Sequence, residues 1–278
     1  MTRLIALIDH SAYGRSVLDH AGWAALRLGA GVDLLHVLRR RLVEPAEPGG
    51  DGGARRTLLE ELTEFRGRAA DGELAAARAL IEDAETRLEL KGVAGSRARL
   101  AQGDLAEAAA QLEPRAGLLL IGKRGETAEG AAGRIGSNLE RVIRSIALPV
   151  LVAPRAFRPI ASVAVAYDGG PNARRAVARI AESRLFQGLP LRLLTVGGAD
   201  AADGVEAARA RLEAAGYAVE TVVEAGQPEA VIARHAAEDG VDLLAMGAYS
   251  HSRLRSFIIG SVTTGTLRAC RIPVLLFR

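Results

Sequence analysis

The sequence predicts an α/β protein made of two tandem, doubly wound parallel five-stranded sheets of Rossmann-like type. Three observations carry this. The chain repeats itself: Leu4-Ile-Ala-Leu-Ile-Asp9 returns as Val163-Ala-Val-Ala-Tyr-Asp168, and Leu34-Leu-His-Val37 as Leu193-Leu-Thr-Val196, both at an offset of 159. Within each half, short apolar runs of strand length alternate with Ala-rich helical stretches. Right-handed crossovers between parallel strands then place helices on both faces of each sheet. Finally, 278 residues with 49% hydrophobic, 25% charged and 4% aromatic side chains suffice for two hydrophobic cores and exclude global disorder.

Taken in order, the first strand of each half closes on an aspartate, Asp9 or Asp168, and an Ala-rich helix follows. The second strands end near Val37 and Val196. Later matches fall at shorter offsets: Leu118 to Gly122 with Leu243 to Gly247 at 125, then Gly136-Ser137 with Gly260-Ser261 and Leu148 to Val152 with Ile272 to Leu276 at 124. The drop locates an insertion in half one, at residues 40–92, before a third strand near Ser96 to Ala101. In it, Pro45 to Gly53 holds two prolines and four glycines and reads as a turn-rich segment. Thr57 to Ala70 and Glu73 to Leu90 read as two helices broken at Asp71-Gly72, either covering the sheet as Val205 to Ala215 does in half two or serving as a lid or partner-binding element. Pro154 to Pro159 is the expected boundary, giving domains 1–156 and 157–278. The last strands are apolar and lie at sheet edges, which demand cover. The two halves are therefore expected to pack as an intrachain pseudo-dimer through them, with homodimerisation of the whole chain left open.

Composition excludes several functions. The net charge is +3, divided +1 and +2 between the halves, so neither half is an electrostatic glove for nucleic acid. Cys270 is the single cysteine, which rules out an intrachain disulfide and a cysteine-based zinc site. No signal peptide or 18-residue apolar stretch is evident, so the expectation is a cytoplasmic protein without membrane insertion. Gly117 to Lys123 imitates a P-loop, but Arg124 replaces the Mg²⁺-binding hydroxyl and the central residues read as a buried strand. The five histidines show no metal spacing and no Gly-x-Ser-x-Gly elbow is present. No catalytic residue and no metal ligand is assigned; the chain is read as a non-enzyme with at most slow, incidental ATP hydrolysis.

Ligands of doubly wound sheets bind beyond the carboxyl ends of the strands, where strand order reverses. Asp9, Asp168, Gly122 and Gly247 lie at such ends. Gly122-Lys-Arg-Gly125 is followed after ten residues by Gly136-Ser137-Asn138, and Gly247-Ala-Tyr-Ser250 after nine by Gly260-Ser261-Val262. Each pattern leads into a helix, where glycine lets backbone N–H groups approach an anion at the positive end of the helix dipole. A purely structural role is also open. Ser137 with Glu140 fits a capping box, Ser261 fits an N-cap, and Asp9 and Asp168 fit caps of the helices after them.

The Asp-ended first strand, the Gly-x-x-Gly element with its distant Gly-Ser, and the final Pro-Val-Leu strand occur twice in register. This combination resembles the universal stress protein family, and the whole chain resembles a tandem member. The resemblance implies a stress-response protein that binds ATP, with Mg²⁺ as its companion ion, in one or both halves and acts through partners. It places Asp9 and Asp168 near adenosine and Val37 and Val196 against adenine. Gly122, Gly125, Gly136, Ser137 and Asn138 would cradle ribose and phosphates in half one, and Gly247, Ser250, Gly260, Ser261 and Val262 in half two. Two departures stand out: ten residues rather than nine in half one, and Ser250 where the family usually has glycine. On balance the spacing favours half two. The alternative is a scaffold or non-nucleotide binding protein whose clefts are occluded by side chains.

Overall fold

The structure is a computed structural model that describes residues 3–38, 52–126, 135–197, 204–238, 240–248 and 260–278, the side chains of 52–70 and 238 apart. Half one runs β1 (Arg3–Leu7), α1 (Ala12–Leu28), β2 (Gly31–Leu38), α2 (Gly52–Leu90), β3 (Arg97–Gln102), α3 (Leu105–Ala110), a 3₁₀ turn (Glu113–Arg115), β4 (Ala116–Gly122), α4 (Ser137–Ser145) and β5 (Val150–Ala153). Half two repeats it as β6 (Val163–Ala166), α5 (Pro171–Glu182), β7 (Leu191–Val196), α6 (Val205–Ala214), β8 (Val219–Glu224), α7 (Pro228–Glu238), β9 (Leu243–Gly247), α8 (Ser261–Ala269) and β10 (Val274–Phe277).

The strands form a single sheet of ten, ordered β3-β2-β1-β4-β5-β10-β9-β6-β7-β8. Each half is parallel within itself and doubly wound, as expected. The two five-stranded sheets meet at the centre, where β5 and β10 pair antiparallel with Val274 opposite Val152 and Leu276 opposite Val150, and so run on as one sheet. Both strands are buried along their whole length. Two apolar edges that cannot face water satisfy each other's backbone groups, and the halves become one sheet.

The cores follow from that pairing. One apolar layer, containing Leu4, Leu34, Val163 and Leu193, continues through both halves under α1, α2, α5 and α6. The opposite layer, containing Ile5, Leu35, Leu194 and Leu244, lies under α3, α4, α7 and α8. Side chains also tie the halves together. Arg278 Nη1 reaches from the C-terminus to Arg144 O (2.8 Å) at the end of α4. Lys123 Nζ donates to Arg268 O (3.0 Å) and Cys270 O (2.9 Å) at the end of α8. Cations there complement the orphan carbonyls of a helix C-terminus.

The insertion departs from expectation. Asp71 and Gly72 do not break it; α2 is one helix of 39 residues, with Gly72 inside. The Asp-Gly pair is a turn signal only if the flanking segments end there. A helix-interior glycine costs about 1 kcal/mol against alanine, too little to terminate a helix whose C-terminal part is anchored. That anchor is Ala77, Ile81, Ala84 and Leu88, all buried, at the spacing of one helix face. The expected turn-rich segment at 45–53 lies mostly outside the described residues. A Cβ on Gly72 would meet nothing within 4 Å. Gly72→Ala is therefore expected to raise stability by about 0.5–1 kcal/mol, read as a higher urea midpoint with an unchanged slope; a lower midpoint would mean that the helix needs a bend there.

Candidate functional site

The strand order reverses between β1 and β4, and there the chain opens into a cleft of about 400 Å³, within the range of small-molecule sites. It brings together six of the seven half-one candidates, Asp9, Val37, Gly122, Gly125, Gly136 and Asn138. Ser137 lies between two of them in the first position of α4.

Asp9 is not the cap of α1. Ser11 is, accepting the Gly14 N–H at 3.1 Å. Asp9 holds the turn instead: its Oδ1 accepts from Ser11 N (3.1 Å) and Ser11 Oγ (2.5 Å). Its Oδ2 accepts from Glu126 N (3.2 Å), which folds the Gly122 to Glu126 loop back over the end of β1. The loop is closed a second time by His10 N, which donates to Glu126 Oε1 at 2.8 Å. Gly125 permits this approach, since a Cβ there would sit 3.0 Å from Asp9 Oδ2. In half two Asp168 Oδ1 likewise accepts from Gly170 N (2.9 Å), and Gly170, not Asp168, is the N-cap of α5.

The capping reading of the serines is corrected in the same way. Gly136 is the N-cap of α4, extended at φ −63°, ψ 136°, and no side chain caps the helix. Gly260 is the N-cap of α8, again with no side-chain cap. Ser137 and Ser261 are therefore each one residue inside their helices. A glycine cap supplies no side-chain acceptor, so the first N–H groups of the helix stay open to an external one.

Gly122 and Gly247 have a second task besides bordering a site. A Cβ on Gly122 would lie 2.8 Å from Tyr13 Cβ and 2.9 Å from Arg124 O. One on Gly247 would lie 2.8 Å from Ala173 N and Asn172 C. Both positions let the helix after the first strand press against the end of the fourth.

Several cleft residues were not singled out from the sequence. His36 is buried, and its Nδ1 donates to Ile8 O at 2.9 Å. In the neutral ring this leaves Nε2 as the acceptor. The His10 ring meets it edge to face at 5.7 Å. Asp104, the N-cap of α3, bonds Ala106 N and Glu107 N and pairs with Arg141 of α4. Glu73 reaches the cleft from α2, within the insertion. Both histidines could have been found by setting the halves against each other, because Gly169 and Thr195 stand at the matching positions. Glu73 had no such signal. Among the described residues no group of three or more His, Cys, Asp or Glu could hold a metal ion.

In half two, Val196 ends β7, Gly247 ends β9, and Gly260, Ser261 and Val262 open α8. Ser250 lies outside the described residues, as do Tyr249 and His251, so that cleft is described only in part. No helix among the described residues is long and apolar enough to cross a membrane.

Comparison with known proteins bears on this arrangement. The model of the universal stress protein family matches residues 1–154 and 197–278. Universal stress protein Slr1230 of Synechocystis is 33% identical over 287 aligned positions, covering 100% of both chains. Universal stress protein MJ0577 of Methanocaldococcus jannaschii is 29% identical over 79 residues, 28% of this chain and 49% of that one. Among solved structures, a universal stress protein from Archaeoglobus fulgidus superposes with a TM-score of 0.73 at 17% identity, covering 99% of this chain and 96% of that chain. The twofold recurrence of the motif, the paired doubly wound halves and an end-to-end relative lead to one assignment: this chain belongs to the universal stress protein family, as a tandem member.

Proposed function

We propose that the cleft of half one, rather than the half-two cleft that the spacing favours and that is described only in part, binds an adenine nucleotide, and that the chain is a nucleotide-responsive stress protein acting through partners rather than by turnover. The observation that carries this is the uncapped start of α4. It faces a cleft whose other wall is Asp9 and the Gly125 loop. Backbone donors there suit phosphate, Asp9 suits a ribose hydroxyl, and the backbone near Val37 with His36 suits adenine. Mg²⁺ would ride on the phosphates. The two halves act as domains 1–156 and 157–278, packed as an intrachain pseudo-dimer in the cytoplasm. A scaffold reading also has support in one observation: the Asp104 to Arg141 pair and Glu126 against His10 occupy part of the same cleft.

Calorimetric titration with MgATP of ligand-free wild type, Gly136→Val and Gly260→Val tests the proposal. Saturable binding that Gly136→Val weakens by about tenfold or more, the loss of one charge-assisted bond, is the expected result. Loss only in Gly260→Val would move the site to half two. A folded wild type that gives no saturable heat would leave the scaffold reading.

A further inference from the structure

At the opposite end of half one, below the amino ends of its strands, lies a second cleft of about 570 Å³. Its charged lining is four arginines, Arg3, Arg97, Arg99 and Arg115, and one carboxylate, Asp33. We propose that this cleft is a binding site for a small, multiply phosphorylated organic anion that also carries hydroxyl donors.

The register creates the cluster. On β3, Arg97 stands opposite Asp33 and Arg99 opposite Leu35 of β2. Residues paired in this way share a sheet face, and Leu35 belongs to the layer under α3. Both guanidinium groups therefore rise from the face that α3 should cover. But α3 spans only Leu105–Ala110, six residues, whereas α7, its counterpart in half two, spans eleven. The short helix leaves the front of β3 open, and Arg115 closes the cleft from the 3₁₀ turn.

The internal repeat serves as a control. The positions matching Asp33 and Arg97 are Arg192 and Glu220, paired across β7 and β8. Arg192 Nε meets Glu220 Oε2 at 2.9 Å, and Val222, matching Arg99, packs on the apolar layer. The cavity at that end of half two is smaller, about 350 Å³, and these two residues are its only charged lining. One fold thus carries a neutral version of this end and a strongly basic one. In half one, Arg3 is committed, with Nε on Asp33 Oδ2 (2.9 Å) and Nη2 on Val32 O (3.0 Å) and Gly95 O (2.9 Å). Arg97, Arg99 and Arg115 have no ion pair or side-chain hydrogen bond among the described residues.

The lining selects the ligand. Guanidinium forks match phosphate oxygens in pairs, and three unengaged forks around one cavity call for more than one phosphate. The floor is apolar, from Leu35 and Leu112. Asp33 is 4% exposed and its Oδ1 is buried without a hydrogen-bond partner. An orphan acceptor of this kind is costly, and a hydroxyl on the ligand would satisfy it. The volume lies within the range for small-molecule sites.

Fructose 1,6-bisphosphate, which has two phosphates and free hydroxyls, is a suitable probe. It would be titrated calorimetrically into the full chain at about 0.1 M salt, where surface attraction is screened beyond about 10 Å. Wild type is expected to bind one equivalent at this cleft. Arg97→Gln and Arg99→Gln would each weaken that binding about tenfold, and the double variant about a hundredfold. Both residues are exposed, so unchanged melting of the variants would verify their folding. Gly136→Val, which blocks the cleft at the other end of the sheet, is expected to leave this binding intact, so the two sites fail independently. Three results would overturn the proposal: no saturable heat in folded wild type, equal affinity in the double variant, or binding of heparin or single-stranded DNA without binding of the bisphosphate. The last would make the arginines an electrostatic surface for polymers, and binding of neither the bisphosphate nor a polymer would leave them as charged guards of an edge strand.

Discussion

Gly122→Ala and Gly247→Ala are each expected to destabilise the protein by about 1–3 kcal/mol, the usual cost of forcing a methyl group into filled space. The atoms that would be struck are poor at yielding. Around Gly122 they are Tyr13 Cβ and Arg124 O, and around Gly247 they are Ala173 N and Asn172 C. Each is backbone or fixed to it, so relief requires α1 or α5 to move away from its sheet. In half one that movement also displaces the loop that Asp9 holds through Glu126 N. Gly122→Ala is therefore expected to weaken nucleotide binding as well as folding, whereas Gly247→Ala leaves the half-one cleft intact. Urea denaturation of both variants beside Gly72→Ala makes the comparison internal, since the same methyl group enters open space at Gly72. Equal midpoints for Gly122→Ala and wild type would show that these glycines are not packing positions.

The repeat made the fold legible, because two copies of one strand-helix grammar leave few topologies open. It also exposed the extra residues of half one, since the offset falls from 159 to 125 between the second and fourth strands. Local signals did less well. The Ser137 to Glu140 spacing satisfies the capping box, yet the helix begins one residue earlier in its register and Gly136 takes the cap. Asp71-Gly72 satisfies a turn, yet buried contacts from Ala77 to Leu88 carry the helix through it. In both places tertiary packing outweighed a preference of about 1 kcal/mol. The candidate site was legible where glycine and aspartate mark the strand ends. It was not legible at Glu73, Asp104 and Arg141, which reach the cleft from α2, the start of α3 and α4 and share no sequence spacing. The arginine cleft was hidden for a related reason: a net charge of +3 averages over a surface on which one end of one half is strongly basic.

Acidification from pH 7.5 to pH 5 is expected to remove about 2 kcal/mol of stability through His20 alone. Its side chain is fully buried in α1, with Nδ1 bonded to Ser16 O at 2.7 Å. Phe157, from the segment between the halves, packs edge-on against the ring at 4.9 Å. Nε2 is buried without a partner, so a proton there would place an unsolvated charge in an apolar layer. Burial pushes the pKa down from 6.5 to about 4; the Ser16 carbonyl and Asp19 oppose this and Lys91 adds to it. Because the folded state binds the proton less readily than the unfolded chain, the contribution is fully present above pH 6.5. It is lost as pH falls from 6.5 towards 4, about 3 kcal/mol in all. His20→Leu removes both the titration and the orphan nitrogen. The Ser16 carbonyl remains in a helix, so near-wild-type stability at pH 7.5 is expected. Urea midpoints at pH 7.5 and pH 5 for the two proteins measure the difference, with the variant expected to keep about 2 kcal/mol that wild type loses. If both lose the same amount, the acid sensitivity lies elsewhere. The position of Phe157 gives the loss a direction, because the ring that His20 holds belongs to the link between the halves, and Lys91, paired with Asp19, also lies over it, 5.9 Å from its centroid. Protonation of one buried imidazole is thus expected to loosen the linker's seat on α1 before the paired strands β5 and β10 separate. Hydrogen exchange at pH 5 would then report faster opening around residues 155–160 than at Leu151 and Leu275, and slower opening there in His20→Leu.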